Sequence, residues 1–390
     1  MLSNETKEIL QTLYVPDTAG YLAKELVYQA VAYIINQDEE PTEILKKYSR
    51  KDSELIISTK LGKNDKDSYN RVFKKWFGGT EAPQNYHEMM LAAINNAGEL
   101  LDKGLIDLKQ SLKTTHPDQL GVQYQGEYAI LPALIKQIEY FERSTFGLPT
   151  RGGKSMVRLD PVWLALLSLG YLIGFAGYYD GRYYLIFKPG LMQYLKDSFF
   201  LKKVMDTLAG LTETHIKKRP SIYKEELYNL DLSLSLAEAG VVIEKDVFPF
   251  YLVTAELQGR AYTSTSSFEV NIIPYYDFSV KYLDTLRDLR IEATPTDSFL
   301  RSLLEVARKE LSGKGISGDT DMTAFLVVKD LHRAISSGNK HYAEETLLRL
   351  FRKLNMLSQS GKDYAWARAL FYRSGTQNNL IALLSSFQRL

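Results

Sequence analysis

The chain has 390 residues, 45% of them hydrophobic and 24% charged, with a net charge of +1 and no cysteine. That length accommodates two or three domains, and that balance can bury a sizeable core. The lack of cysteine excludes disulfides, thiolate metal sites, iron–sulfur clusters and a cysteine nucleophile.

The small net charge hides an uneven distribution. Residues 1–150 carry −4, 151–225 carry +6, 226–300 carry −7 and 301–390 carry +6. Two basic blocks therefore flank an acidic one. A polyanion can meet the basic blocks; equally, they can be solvated faces, or pair with the acidic block inside the fold. The opening residues 1–13 carry acids and lack an apolar segment, unlike a secretory signal. A soluble, cytoplasmic chain is expected.

In chain order, Tyr21, Leu22, Leu26, Ala30, Val31, Tyr33 and Ile34 recur at helical spacing, and Pro41 with Thr42 opens a short second helix. Residues 54–59 read as a strand. Residues 68–77 read as a helix with a basic face (Arg71, Lys74, Lys75) around Trp76, stopped by Gly78-Gly79. Residues 86–112 are helical with a break near Gly104, 122–131 extended or a short hairpin, and 133–146 a helix.

The run 162–179 has 18 residues and no charge, the lower limit for a membrane span. Gly170 and Gly174 even form a small-xxx-small pair. A buried helix is the preferred reading, because the run leads into Asp180-Gly181 between aromatic, β-prone segments, a hairpin signal. If 175–179 is a strand, too few residues remain to cross a bilayer.

Residues 191–208 and 221–236 read as helices. Strands are expected at 248–257 and 267–273, separated by a Gly/Thr/Ser stretch, then a helix at 280–291. Pro295 marks a boundary. Beyond it, helices are expected from Phe299 and near 322–336, 341–357, 363–371 and 377–387, with no strand. The fold class is α+β: a mixed region 1–295 with small antiparallel sheets and a sub-boundary near 147–160, followed by an all-helical C-terminal bundle 296–390.

The candidate chemistry is sparse. Residues 147–155 end in Gly152-Gly153-Lys154-Ser155 and suggest a P-loop, but the position six before Lys154 is Leu148, and the next helix opens late, at Pro161. The nearer reading is a flexible basic loop with Arg151, Lys154 and Arg158. The five histidines show no metal-ligand spacing, and no nucleophile elbow is present. No catalytic set, metal or cofactor is expected. Lysine and arginine clusters offer candidate phosphate contacts: Lys74-Lys75, Lys202-Lys203, Lys217-Lys218-Arg219 and Arg349, Arg352, Lys353.

Two stretches resemble a known family. One runs from Gly147-Leu148-Pro149 through Leu159-Asp160-Pro161-Val162-Trp163 to the hairpin around Asp180-Gly181 and Lys188-Pro189; the other is Asp330-Leu331-His332-Arg333-Ala334-Ile335. Together they resemble the large subunit of archaeal type I-A CRISPR Cascade effectors. The resemblance implies a non-catalytic subunit of an RNA-guided complex. Such a subunit contacts target double-stranded DNA beside the guide-paired region and helps recruit a nuclease–helicase, while the guide RNA reads the sequence. It implies other Cascade subunits as partners and no membrane. No family residue transfers by motif; the basic residues named above come from charge. Two other readings stay open: an NTP-binding enzyme using Lys154, and an archaeal or viral scaffold protein.

Overall fold

The structure is a computed structural model that describes residues 1–48, 57, 60–78, 83–135, 157–179, 182–218, 224–258, 261–289, 298–311, 323–360 and 376–388. It is α+β, with helices in the majority and two four-stranded sheets. The chain forms two compact units: Met1–Ile216 with Asp246–Glu269, and Lys217–Lys245 with Val270–Leu390.

The first unit opens with α1 (Asn4–Gln11), α2 (Tyr21–Gln37) and α3 (Pro41–Lys47), followed by α4 (Lys63–Phe77), α5 (Tyr86–Asp102) and α6 (Leu108–Lys113). Local chemistry sets the starts. Asn85 caps α5 by accepting the Glu88 N–H, and the Glu88 carboxylate accepts the Gln84 backbone N–H and the Asn85 side-chain amide in return. A sheet of two-residue strands follows: β1 (Thr115–His116), β2 (Gln119–Leu120), β3 (Ala129–Ile130) and β4 (Arg158–Leu159), ordered β1-β2-β4-β3. The β2–β4 pair is parallel and the other two are antiparallel.

The uncharged run resolves into α7 (Pro161–Gly174) and β5 (Phe175–Tyr179). Almost every residue of α7 is buried, as expected of a helix apolar on all faces. It packs on α2 and α5. Gly170 and Gly174 serve this packing. A Cβ on Gly170 would overlap the Leu26 carbonyl oxygen of α2, and one on Gly174 would meet the Ile186 carbonyl. The Gln29 amide donates to the Gly170 carbonyl at 3.1 Å inside the interface. No helix among the described residues is long and apolar enough to cross a membrane.

β5 pairs antiparallel with β6 (Arg182–Phe187), the hairpin expected around 180–181. The turn residues themselves lie outside the described residues. β6 then pairs with β7 (Phe250–Gln258), Leu185 opposite Val253, and β8 (Ala261–Val270) completes the order β5-β6-β7-β8. β8 begins earlier than expected, because Thr263, Ser264, Thr265 and Ser266 form strand instead of separating two strands. β-Branched threonine suits a pleated surface even where the composition looks loop-like. Between β6 and β7, α8 (Ser198–Lys218) continues from a short 3-10 turn, Leu191–Tyr194.

The second unit contains α9 (Glu225–Glu238), α10 (Ile273–Asp288), α11 (Phe299–Leu311), α12 (Ala324–Ser337), α13 (His341–Ser360) and α14 (Thr376–Gln388). α10 starts seven residues before its expected position, with Pro274 in its first turn, where its missing N–H costs nothing. Among the described residues after Val270 there is no strand. The core joins Leu227, Leu230 and Leu234 of α9 to Phe278, Phe299, Leu303 and Phe387. Phe278 and Phe387 rings lie 4.6 Å apart. The terminal helices thus share a core with α9 and α10, and their compact unit takes in 217–245 and 270–289 as well as the terminal stretch. The reason is burial: α9 is buried on every side from Leu227 to Leu236, with Asn229, Asp231, Ser233 and Ser235 among the leucines, and needs cover all round. Pro295 and the helix expected at 363–371 lie outside the described residues, as does the strand expected at 54–59 except for Ile57, which is in no strand.

Candidate nucleic-acid interface

The corner before α7 is built on one carboxylate. Asp160 caps the helix, its Oδ1 accepting the Trp163 N–H at 2.9 Å. Its Oδ2 accepts the Ser111 hydroxyl at 2.6 Å and the Val122 N–H at 3.0 Å. Trp163 closes the arrangement by donating its indole N–H to the Ser111 carbonyl at 3.0 Å. Asp160 is 1% exposed, and burial pushes its carboxyl up to about 6 against the hydrogen bonds from Ser111, Trp163, Val122 and Val162, which favour ionisation. A P-loop helix needs free first-turn N–H groups for phosphate. Here the Asp160 carboxylate occupies that position. Arg158, two residues earlier in β4, is exposed. Arg151 and Lys154 lie outside the described residues.

Lys202 and Lys203 sit in the first turns of α8. Lys202 is exposed; Lys203 is half-buried, 3.4 Å from Asp246, with its ammonium 4.7 Å from the centre of the Phe199 ring. Phe199 is 63% exposed and stands at 5.7 Å, edge to face, from Phe200. Asp197 caps this helix through the Phe199 and Phe200 N–H groups. Lys217 and Lys218 end α8, and Arg219 lies outside the described residues. Arg349 and Arg352 are exposed on α13, three residues apart and so on one face. Lys353 follows on the same helix.

Other cations are spoken for. Arg71 and Lys75 of α4 converge on Glu127 at 3.5 and 2.8 Å, and Trp76 is buried, donating to the Tyr124 carbonyl at 3.0 Å. The acidic block supplies further partners: Glu256 to Arg182 at 3.2 Å and Asp246 to Lys203. Arg301 of α11 is 5% exposed and lies against Asp231, Ser235 and Glu238, which share one face of α9. Part of the basic charge thus pairs with the acidic block inside each compact unit.

Lys188 is buried and His332 half-buried, and neither makes an ion pair among the described residues. Lys188 is 3% exposed, its ammonium 5.4 Å from the Tyr194 ring and 5.9 Å from the Phe250 ring. Burial lowers its pKa, and Glu269 opposes the shift. The His332 ring lies 5.2 Å from that of Tyr275, tilted by 32°, and burial lowers its pKa against the pull of Glu226 and Glu225. No group of His, Cys, Asp or Glu among the described residues could hold a metal ion.

Charge clusters were legible in the sequence, because spacing alone reveals them. Phe199 was not, since a Phe-Phe-Leu run reads as core. The signal lay in its neighbours: Asp197 as cap, then lysines three and four residues on.

Fold and surface together define a class: a helix-rich α+β protein that presents paired cations on helix faces, with no assembled metal centre among the described residues. Comparison with known proteins gives the family. The family described as CRISPR-associated protein (Cas_Csx9) matches residues 32–383, nearly the whole chain, and the chain belongs to it. No curated protein and no solved structure matches the chain.

Proposed function

We propose that the chain is a non-catalytic, nucleic-acid-binding subunit of an RNA-guided CRISPR interference complex, of the kind that forms the large subunit of type I-A Cascade. In this reading it contacts target DNA beside the guide-paired region and helps recruit the nuclease–helicase. Its partners are guide RNA, other subunits and duplex DNA. The observation that carries the reading is membership of a CRISPR-associated family over residues 32–383. The exposed cations at Arg158, Lys202, Arg349 and Arg352 support it, because phosphate backbones are bound mainly by lysine and arginine on accessible faces.

The test is binding of a fluorescent duplex by the chain reconstituted with guide RNA and partner subunits, across a salt series. The expected result is an affinity that falls steeply with salt, with a log–log slope near −0.9 per phosphate neutralised. No salt-dependent binding to any duplex would sink the reading.

A further inference from the structure

The exposed ring at the start of α8 has the layout of a stacking platform. Phe199 leaves most of its surface to solvent at 63% exposure. Lys202 and Lys203, three and four residues on, lie on the same helical face. Lys203 sits over one side of the ring at 4.7 Å, and Phe200 meets it edge to face at 5.7 Å. Lys196, just before the helix, is also exposed. The acids nearby have work to do: Asp197 holds the helix N-terminus and Asp246 faces Lys203. Asp206 stands one turn further along.

A lone exposed phenylalanine needs no explanation. This one differs because its rim is cationic. A protein partner docking on an aromatic anchor is served by an apolar surround, whereas lysines beside an open ring match a strand that offers a base and a phosphate together. A base paired within a duplex has both faces stacked, so the partner is single-stranded.

We propose that Phe199 stacks an unpaired base of single-stranded nucleic acid, while the exposed Lys202 holds the adjoining phosphate and Lys203, paired with Asp246, backs the other side of the ring. The proposal rests on the nucleic-acid reading above and adds to it a strand form and a residue. Asp197 already caps the helix, so the phosphate is met by the Lys202 ammonium group rather than by the helix N-terminus.

The test uses the full chain and two fluorescent probes, a ~20-nucleotide poly-dT strand and a duplex of equal length, in a salt series. Phe199→Ala should weaken poly-dT binding about 5- to 100-fold and leave duplex binding within about twofold. Phe199→Trp should restore it. Phe199→Ala should keep the salt slope, whereas Lys202→Ala should make it shallower by about 0.7 on the single strand. Unchanged poly-dT binding by Phe199→Ala overturns the proposal, as does equal weakening on both probes. If the unaltered chain ignores poly-dT while the reconstituted complex binds duplex, this proposal alone fails. If the complex binds no duplex either, the functional reading fails with it.

Discussion

Asp160 shows how one side chain can hold a corner and set a pH dependence. It takes hydrogen bonds from three different segments, yet burial raises its carboxyl from 3.8 to about 6. The folded protein therefore holds this proton more tightly than the unfolded chain does. Stability from that difference is fully present below about pH 4 and is lost as pH rises through about 6, a change of about 3 kcal/mol. Asp160→Asn cannot ionise. It should be less stable than the parent, with a deficit that shrinks by about that amount between acid and neutral pH. Urea midpoints of both proteins across that range measure it; a constant or widening gap would contradict the assignment.

Helix contacts are decided by small residues and by one buried ion cluster. Gly170 lets α7 approach the backbone of α2, so Gly170→Ala should cost about 2–3 kcal/mol through overpacking. Gly62→Ala meets nothing within 4 Å and should cost about 1 kcal/mol or less, from the loss of glycine at the N-cap of α4. Thermal melts of the pair separate close approach from a general glycine effect. In the second unit, Arg301→Met strands Asp231 and Glu238 in the core and should cost about 3–5 kcal/mol. Replacing all three by apolar residues of similar volume should recover most of that loss in urea unfolding, since the uncompensated charge would be gone.

For the whole molecule the question is which cations remain for a polyanion. Arg71, Lys75, Arg182 and Arg301 are engaged with carboxylates, whereas Arg349 and Arg352 share an exposed face. Arg349→Ala with Arg352→Ala should reduce the salt slope of duplex binding by about 2 if both meet phosphate, with no change in stability. Arg71→Ala should leave the slope alone. Anisotropy titrations of the reconstituted complex distinguish them.

Periodicity and caps in the sequence located most helices, the 175–187 hairpin and the all-helical ending, because these are local choices of backbone and side chain. Pro161 announced the start of α7, and Asp180-Gly181 the hairpin signal that limits its reach. The early start of α10 at Ile273 was marked by Pro274, and the strand at Ala261 was masked by serines. Spacing also exposed every charge cluster. It could not say which charges are free. Arg71 and Lys75 are matched by Glu127, and Arg301 by acids of α9, through pairings between segments far apart in the chain. Such pairings follow from packing, which brings distant residues within a few ångströms and fixes the dielectric around them. The same physics turns Gly170-Gly174 from a membrane signal into a helix contact, and leaves Phe199 in solvent beside two lysines.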